Sequence, residues 1–478
     1  MNDLSPYISN WTYLYYGLMA LYVVSVASVI VVILSENRNP VKSLAWVTVL
    51  LVVPFVGLVL YFFFGRSIQK KRIISRRNQR KLKRREAWGA TPGQKHIQLS
   101  ATALQQIKLG TSLTGAMFYE GNDVEWFNNG VEKLDRLICD IDNAKNYILI
   151  EYYIIADDDT GQRFRDALLR AAMRGVKIRL IYDHVGSFSA KRKFWRSFTE
   201  AGIEVYPFFK VAFPLFGTRI NWRNHRKIVV VDGVVGYIGG MNIADRYMKP
   251  EWRDLHLRVV GQAVSAMQYN FAVDWNFMGQ PLIEEWGKAE YVEKENPVGI
   301  QMITSGPTGQ WPNLAMVFQK AIANARKRVF VMTPYFLPDD SLLRTLQTAA
   351  LSHVDVRVLI PFRPDSVVMR HASFSYITPC IKSGIKVYLY EGGMMHSKAV
   401  IIDDDLVTVG STNFDFRSFE HNFEANLFIY NSDFNEAMAQ EFRDACSHAV
   451  KVDPVQWKKR PIKAKVVESM VRLLAPVL

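Results

Sequence analysis

The sequence predicts an α/β protein: an N-terminal transmembrane helical hairpin followed by two duplicated α/β/α domains that form one shared active site. Three observations lead to this prediction. Two long uncharged apolar stretches lie near the N-terminus. Strand-like and helix-like segments then alternate, in an order that occurs twice along the chain. Each copy of that order carries the same spaced set of histidine, lysine, aspartate and asparagine residues.

Residues 1–66 are predicted to cross the membrane twice. Residues 4–35 contain no charged side chain, and their densest part, 11–34, is long enough to span a bilayer. A second uncharged stretch covers residues 43–65, and the short loop between the two predicts a hairpin and a multi-pass protein. A cleaved signal peptide is the alternative for the first stretch, which lacks a basic start and is too long for one.

The positive charge is concentrated in one place. The net charge is +14, and eleven basic residues and no acid lie in residues 66–85, so the remainder carries only +3 (14 minus 11). That remainder is too small for a dedicated nucleic-acid surface, and we expect no nucleic-acid partner. Residues 67–109 are therefore predicted to be a basic juxtamembrane segment on anionic lipid. The positive-inside rule then places the catalytic region in the cytoplasm.

The length and the cysteine content limit the class of protein. With 478 residues and 49% hydrophobic side chains, the chain can fill more than one globular core. The three cysteines, Cys139, Cys380 and Cys446, lie far apart and form no CxxC pair. This spacing argues against a disulfide framework and a cysteine zinc site, and it is typical of a reducing compartment.

Residues 110–280 are predicted to form the first of the two halves. Residues 147–155 are an apolar run of β-branched and aromatic side chains. Thr160 can cap a helix that stops at Gly175, and residues 176–182 are again strand-like. This β-α-β order is typical of the α/β class.

Residues 299–450 repeat that order as the second half. The segment that starts with AKNYILI at residue 144 resembles ARKRVFV at residue 325, which indicates an internal duplication. Polar residues 281–298 are the predicted linker between the halves. The repeated strand, helix and strand are predicted at residues 328–335, 342–350 and 354–360.

The C-terminal tail, residues 451–478, mixes basic and apolar side chains and is predicted to be amphipathic. Packing against the body of the protein and binding at a membrane interface both fit this composition.

Two HxKxxxxD motifs carry the chemistry. In each copy an asparagine follows the histidine at an interval of seventeen residues, within a Gly-small-x-Asn group. A single motif is a weak signal, but a second copy with the same extended spacing is not a plausible accident. The two sets are His225, Lys227, Asp232 and Asn242, and His396, Lys398, Asp403 and Asn413.

Strand geometry separates these residues by role. Residues two apart on a strand face the same way, so each histidine and its lysine point into one site. Asp232 and Asp403, seven residues after their histidines, are expected to brace the turn and the scaffold. The Asp232-Gly233 pair also predicts a tight hairpin turn.

These residue types fit phosphodiester chemistry without a metal or cofactor. One neutral imidazole can attack phosphorus, and a second, protonated imidazole can donate to the departing oxygen. Lysine ammoniums and the amides of Asn242 and Asn413 can hold the non-bridging oxygens. Each histidine also needs an acceptor for its other ring nitrogen. Asp254 and Glu424 are the candidates, with an ordinary salt-bridge role as the alternative.

The motifs make the chain resemble the phospholipase D superfamily, and within it the bacterial cardiolipin synthases. The resemblance covers essentially the whole chain and includes EYYI, NHRKIVVVDG, GGMN, TSGP, TPYFLP and HSKAVIID. It implies transfer of a phosphatidyl group from one phosphatidylglycerol to another, giving cardiolipin and glycerol at the bacterial plasma membrane. It also implies that His225 is the nucleophile and that His396 is the general acid.

Three other functions remain open from the residues. A membrane-bound phospholipase D hydrolase would use the same site with water as the acceptor. A membrane-tethered nuclease of the same superfamily would use it on nucleic acid, against which the modest charge of the catalytic region counts. A non-catalytic adaptor is the third, and the intact motifs count against it. The number of chains that assemble is open.

Overall fold

The computed structural model describes residues 5–35, 40–53, 55–61, 74–89, 97–209 and 222–473. The chain divides into two compact units. The smaller unit is residues 1–68 with 211–221, and the larger is residues 69–210 with 222–478.

Among the described residues of the smaller unit, one helix is long and apolar enough to cross a membrane. This helix, α1, covers Ser5–Ser35, and the stretch Trp11–Ile33 has a mean hydropathy of 2.4. The next helix, α2, covers Pro40–Val52, and Tyr22 of α1 donates a hydrogen bond to the carbonyl oxygen of Leu50 in α2 at 3.0 Å. The predicted helix–helix contact therefore forms.

The second predicted span, residues 43–65, is not one continuous helix in its described part. Helix α2 ends after 13 residues, and a separate short helix, α3, covers Val56–Leu60. Helix α2 ends two residues before a proline in the sequence, and proline disfavours a continued helix because it has no N–H to donate and restricts the residue before it. At 1.5 Å per residue α2 measures about 20 Å, which is less than the thickness of a hydrocarbon core.

The larger unit is a mixed α/β structure built on one long sheet. Its helices are α4 Arg76–Trp88, α5 Ala101–Thr114, α6 Gly130–Asp142, α7 Asp159–Met173, α8 Arg192–Glu200, α9 Val264–Phe277, α10 Asn313–Ala323, α11 Asp340–Leu351, α12 Val367–Ser375, α13 Ile377–Lys382, α14 Phe416–Glu420, α15 Ser432–Ser447, α16 Pro454–Lys458 and α17 Ile462–Arg472, with a 3₁₀ helix at Asp245–Met248.

The strands of the first half are β1 Phe118–Phe127, β2 Tyr147–Tyr152, β3 Lys177–Asp183, β4 Glu204–Phe208, β5 Arg223–Asn224, β6 Lys227–Val231, β7 Val235–Gly239, β8 Trp252–Arg253 and β9 His256–Gly261. Those of the second half are β10 Val298–Ser305, β11 Arg328–Met332, β12 Phe336–Leu337, β13 Asp355–Pro361, β14 Lys386–Tyr390, β15 Met394–Met395, β16 Ala399–Ile402, β17 Leu406–Gly410, β18 Phe414–Asp415, β19 Asn422–Tyr430 and β20 Ala449–Lys451.

The order of the strands confirms the predicted duplication. From the centre outwards the first half runs β1-β9-β7-β6-β2-β3-β4, and the second half runs β10-β19-β17-β16-β11-β13-β14, with β20 beyond β14. The central strands β1 and β10 pair antiparallel and join the two halves into one sheet. Each half adds its own apolar core under its parallel strands.

Several local predictions also hold, with shifted ends. The helix predicted after Thr160 is α7, but its cap is Asp158, whose side chain accepts from the N–H of Gly161. Asp158 precedes the first helical turn, where an acceptor meets the free N–H groups. The predicted turn after β6 forms, with Asp232 and Gly233 at φ 52° and 70°.

The described part of the predicted juxtamembrane segment packs on the catalytic unit. Helix α4 buries Leu82 and Glu86, and Asn78 donates to the side-chain oxygen of Asn276 in α9 at 3.0 Å. Helix α5 packs beside α10 and β10. The domain boundaries given above remain predictions.

Candidate active site

The first motif is held by the second half of the protein. Strand β5, directly before His225, pairs in parallel with the start of β19. The N–H of His225 continues this ladder by donating to the carbonyl oxygen of Phe423 at 3.0 Å. The chain then enters β6 at Lys227, inside the sheet of the first half. His225 therefore lies where the two halves meet.

The second motif repeats this arrangement in reverse. Strand β15, directly before His396, pairs in parallel with β8 of the first half. The N–H of His396 donates to the carbonyl oxygen of Arg253 at 2.7 Å. Each histidine is thus fixed by backbone hydrogen bonds to the segment of the other half that leads into its acidic residue.

Each histidine also bonds to a carboxylate of the other half. The Nδ1 atom of His225 lies 3.0 and 3.2 Å from the two carboxylate oxygens of Glu424. The Nδ1 atom of His396 lies 2.5 Å from Oδ2 of Asp254. Both carboxylates are fully buried. The sequence nominated these two acids, and the structure pairs each with the histidine from the opposite motif.

Burial sets the protonation of the two imidazoles. Burial lowers the pKa of His225, and it lowers the pKa of His396 to about 4. Both rings are therefore neutral at neutral pH. Because a carboxylate can only accept, the proton of each neutral ring lies on Nδ1, and the lone pair lies on Nε2. A neutral ring with a free Nε2 is the form that attacks phosphorus.

The two lysines lie beside their histidines. Each ammonium donates to the carbonyl oxygen of the histidine two residues earlier in the chain. The Nζ atom of Lys398 also lies 2.8 Å from Nδ1 and 3.3 Å from Nε2 of His396. Burial lowers the pKa of Lys227 to about 7 and also lowers that of Lys398. A site with two desolvated ammoniums strongly favours an entering anion.

The electrostatic coupling joins both motifs in one site. The charge of Lys398 contributes to the lowered pKa of His225, and Asp254 and Glu424 both act on Lys227. Groups from the two halves influence each other's protonation because they share one buried volume.

Asp232 and Asp403 are placed at turns of the scaffold. Asp232 accepts hydrogen bonds from the backbone N–H groups of Lys145, Asn146 and Tyr147 at 2.7–2.9 Å. Asp403 accepts in the same way from the backbone of residues 326–328, where β11 begins. Both residues have positive φ, at 52° and 48°. Each aspartate thus links its hairpin turn to the start of the neighbouring strand.

The two asparagines differ in their contacts. The side-chain oxygen of Asn242 accepts from the N–H of Ile154 at 3.0 Å, and its nitrogen donates to the hydroxyl of Tyr247 at 2.6 Å. Asn413 is also buried, and its side-chain oxygen has no hydrogen-bond partner among the described residues. We expected both amides to face the phosphate. In the structure, Asn242 already holds one backbone group and one tyrosine.

Sequence reasoning did not identify the aromatic side chains and the serine that line the site. The ring centroid of Tyr153 lies 4.9 Å from that of His225, and Trp252 and Tyr247 lie 5.2 and 5.7 Å from His396. The hydroxyl of Ser411 donates to Glu424. Ser411 belongs to the Gly-small-x-Asn group of the second motif, and this group was the sequence signal that could have identified it. Tyr153 lies in the EYYI segment and Trp252 lies two residues before Asp254, so the sequence marked their neighbourhood, but the ring contacts form only in the folded site.

A family model described as "Cardiolipin synthase, PLD-like domain" matches residues 137–275 and 318–446. A second model, "Phospholipase D-nuclease N-terminal", matches residues 21–66. Cardiolipin synthase 2 of Bacillus anthracis is 37% identical over 459 residues, which cover 94% of this chain and 89% of that protein. The chain belongs to the cardiolipin synthases of the phospholipase D superfamily. As a family member, it is an enzyme that acts as a phosphatidyltransferase.

Other members of the family match over a similar length. The major cardiolipin synthase ClsA of Bacillus subtilis strain 168 is 35% identical over 479 residues, covering 96% of this chain and 98% of that protein. A cardiolipin synthase of Listeria monocytogenes is 37% identical over 478 residues, covering 97% and 99%. Membership of the family implies an anionic phospholipid substrate and association with a membrane.

The fold is also found among solved structures. The crystal structure of phosphatidylserine synthase from Haemophilus influenzae superposes with a TM-score of 0.60 at 16% identity. The match covers 78% of this chain and 98% of that one. It extends over both halves of the catalytic unit, in agreement with the duplicated architecture.

Proposed function

We propose that the enzyme transfers the phosphatidyl group of one phosphatidylglycerol to the terminal hydroxyl of a second, through a phosphohistidine on His225. The observation that carries this proposal is the exchange of carboxylates. Glu424 bonds to Nδ1 of His225, and Asp254 bonds to Nδ1 of His396. Two imidazoles held in this way leave both Nε2 atoms available to one phosphate.

In the first step, Nε2 of His225 attacks phosphorus and the bond from phosphorus to the glycerol headgroup oxygen breaks. His396 donates a proton to that oxygen, and glycerol leaves. A phosphodiester between the rings brings a negative charge into the buried site and raises the pKa of His396, so that Nε2 takes up a proton from water when substrate binds and can then donate it. Lys227 and Lys398 neutralise the charge that builds up on the non-bridging oxygens.

In the second step, His396 takes a proton from the terminal hydroxyl of a second phosphatidylglycerol. The hydroxyl oxygen attacks phosphorus, the phosphorus–nitrogen bond breaks, and His225 returns to its neutral form. Cardiolipin is the product, and the proton count of the enzyme is unchanged over the cycle. The scheme uses no metal ion and no cofactor.

The other motif residues support the site in this proposal. Asp232 and Asp403 brace the hairpin turns, and Asn242 positions Tyr247 beside His396. The side-chain amide of Asn413 bonds to Asp415. We assign the same amide to the phosphate as well. Its buried side-chain oxygen has no partner among the described residues, so a hydroxyl of the acceptor headgroup fits there.

We also propose a multi-pass membrane protein with a cytoplasmic catalytic unit. Helix α1 supplies one crossing. Residues 40–66 supply the second, with a break near Pro54 that a bilayer tolerates when neighbouring helices satisfy the freed backbone groups. The basic run at residues 66–85 follows on the cytoplasmic side, against anionic headgroups.

The decisive experiment is a product assay on the full-length protein in vesicles of labelled phosphatidylglycerol. We expect cardiolipin and glycerol in equal amounts. Phosphatidic acid as the main product would instead establish a hydrolase, and turnover of nucleic acid without lipid turnover would establish a nuclease. His225→Ala should remove product formation, whereas His353→Asn, in an exposed turn, should not change it.

A further inference from the structure

The C-terminal helix α17 is fixed to the catalytic unit by its polar side. Glu468 is buried and accepts two hydrogen bonds from the guanidinium of Arg460, at 2.6 and 2.9 Å. That guanidinium lies 3.2 Å from the ring centroid of Trp457, a buried residue of α16. Arg472, at the other end of α17, lies 4.5 Å from the ring of Tyr376. These contacts fix the rotation of α17 about its own axis.

The opposite side of α17 presents apolar side chains to solvent. Ile462 is 77% exposed, Val466 49%, Met470 64% and Leu473 81%. Intervals of four, four and three residues place these four side chains on one face of a helix. Val471 packs against the core and Val467 is half-buried, but the four exposed side chains leave a second apolar surface of α17 in solvent, which a surface helix normally buries.

The surroundings of this stripe are basic. Residues 454–478 contain six lysines and arginines and a single acid, Glu468, which Arg460 already neutralises. Lys463 is exposed on the same side as the stripe, and Lys458, Lys459 and Lys465 lie at the start of the helix. After Leu473 the sequence continues with five uncharged residues, Leu, Ala, Pro, Val and Leu.

We propose that the exposed face of α17 lies on the surface of an anionic phospholipid bilayer, with its apolar stripe among the acyl chains and its lysines among the headgroups. A narrow apolar stripe with cations at its edges and no free acid matches a lipid surface in both polarity and charge. This contact is separate from the N-terminal segment. It rests on the association of the enzyme with a membrane and not on the catalytic roles proposed above.

The contact gives the catalytic unit a second attachment to lipid. Since α17 packs on α12, and Lys465 of α17 donates to the carbonyl oxygen of Lys458 in α16, a bilayer bound to its outer face would hold the catalytic unit in a defined orientation. Two attachments to one surface raise the local concentration of the second site and make binding stronger than either contact alone. The substrate of this enzyme lies in the same surface, so orientation and substrate access are linked.

A nitroxide spin label at position 469 reports this contact directly. Ser469 is exposed and lies beside the stripe, three residues after Val466 and four before Leu473. The label is attached to full-length Ser469→Cys in a background of Cys139→Ser and Cys446→Ser, since Cys380 is buried. Ser352→Cys, in an exposed turn, serves as the matched control. On phosphatidylglycerol vesicles we expect position 469 to collide more with oxygen than with a water-soluble nickel chelate, and position 352 to show the opposite.

Two results would overturn the proposal. Equal access of the nickel chelate to positions 469 and 352 would show that the face stays in water. Spin–spin coupling between labels on different chains at position 469 would show that a second copy covers the stripe. Vesicles of phosphatidylcholine alone should weaken the lipid contact at position 469, because they remove the attraction to the lysines.

Glutamate substitutions in the apolar stripe provide a second test of the proposed lipid contact. Val466→Glu with Met470→Glu should return the label at 469 to water and reduce the lipid-bound fraction of this face by about tenfold or more. Leu351→Glu, an equally exposed apolar position on α11, should leave it unchanged. Turnover of a short-chain, monomeric phosphatidylglycerol should be the same in the double variant and the parent. Retained lipid contact in the folded double variant would contradict the proposal.

Discussion

The two halves of the catalytic unit share their strand order and their motif residues, but differ in what is buried behind the carboxylates. His256 on β9 pairs with Gly239, and Asn426 on β19 pairs in the same way with Gly410, so these two positions are equivalent. Lys133 on α6 and Leu314 on α10 each lie eleven residues before the start of the duplicated segment. The first half thus has histidine and lysine where the second has asparagine and leucine.

This difference makes the two carboxylates unequal. Lys133 is fully buried and donates to the hydroxyl of Tyr152 at 2.7 Å. Burial lowers its pKa to about 7, and the negative charge of Asp254 acts in the opposite direction. Glu424 instead accepts from the hydroxyl of Ser411 and from the amide of Asn422. Both acids interact with the two motif lysines, but Asp254 has Lys133 as a further buried cation in its field, whereas the further donors to Glu424 are neutral.

The equivalent residues Asn426 and His256 also differ between the halves, in their hydrogen bonding. The amide of Asn426 donates to the hydroxyl of Thr408 at 3.1 Å and accepts from the N–H of Thr412 at 3.3 Å. Neither ring nitrogen of His256 has a hydrogen-bond partner in the described part of the chain. Burial lowers the pKa of His256 well below its usual value. Repeated motifs can thus perform different steps because their buried surroundings have diverged.

Replacing the histidines gives the largest expected effect. His225→Ala should lower turnover by at least about 10³-fold and abolish the covalent lipid–enzyme adduct, because the attacking nitrogen is lost. His396→Asn should slow formation of the adduct or let it accumulate. Trapping of the adduct by acid quench measures both. The reverse pattern would exchange the roles of the two residues.

Replacing the carboxylates tests whether each acid acts on the histidine that it contacts or on the histidine of its own half. Glu424→Gln should behave like the His225 variant and Asp254→Asn like the His396 variant, each with about 10²-fold lower kcat, since each acid orients and stabilises the opposite histidine. Single-turnover kinetics distinguish the two patterns. Asp140→Asn, which alters a carboxylate that binds Arg258, is the control and should retain kcat. If each acid variant instead behaved like the variant of the histidine in its own half, the proposed exchange of carboxylates between the halves would be contradicted.

The pH dependence should reflect Lys227. Its pKa of about 7 means that it loses its proton, and the site loses a positive charge, as pH rises through about 7. In the proposed reaction, kcat/KM should therefore fall on that side. Lys227→Arg should move this limb upward by more than about one pH unit, because a guanidinium stays protonated. Lys177→Arg, at an exposed ion pair, should leave the profile in place.

On the acid side of the pH profile, the protonation of His225 should determine where kcat/KM falls. Its pKa in the folded enzyme lies below the ordinary value of 6.5, so the neutral, reactive ring persists to lower pH. The acid limb of kcat/KM should then lie below pH 6.5 in both the parent and the Lys227 variant. A limb above that value would show a protonated ring and contradict the assigned state.

The smallest effect is expected at the buried lysine of the first half. Lys133→Met removes a cation near Asp254 and makes the two halves more alike, and we expect a kcat about three- to tenfold lower with KM unchanged. Leu314→Met, at the equivalent position of the second half, should change neither constant. An unchanged kcat in a folded Lys133 variant would show that the difference between the halves does not reach the chemistry.

The sequence by itself determined the features that depend on local chemistry. Runs of apolar, β-branched and aromatic residues predicted the strands β2, β3, β11 and β13, because such side chains fit the pleated surface of a buried strand. Asp232-Gly233 predicted a turn, because that pair tolerates positive φ. The repeated spacing of histidine, lysine and asparagine identified the residues of the candidate site before any contact was known.

Only the tertiary structure decided how those residues meet. His225 and Glu424 are 199 positions apart, and His396 and Asp254 are 142 apart, so no local pattern records either contact. Their pairing follows from β5 joining β19 and β15 joining β8, which is a consequence of packing two halves across β1 and β10. The rotation of α17 was decided in the same way. Its composition fits two orientations, and the buried pair of Glu468 and Arg460 selects the one that exposes the apolar side.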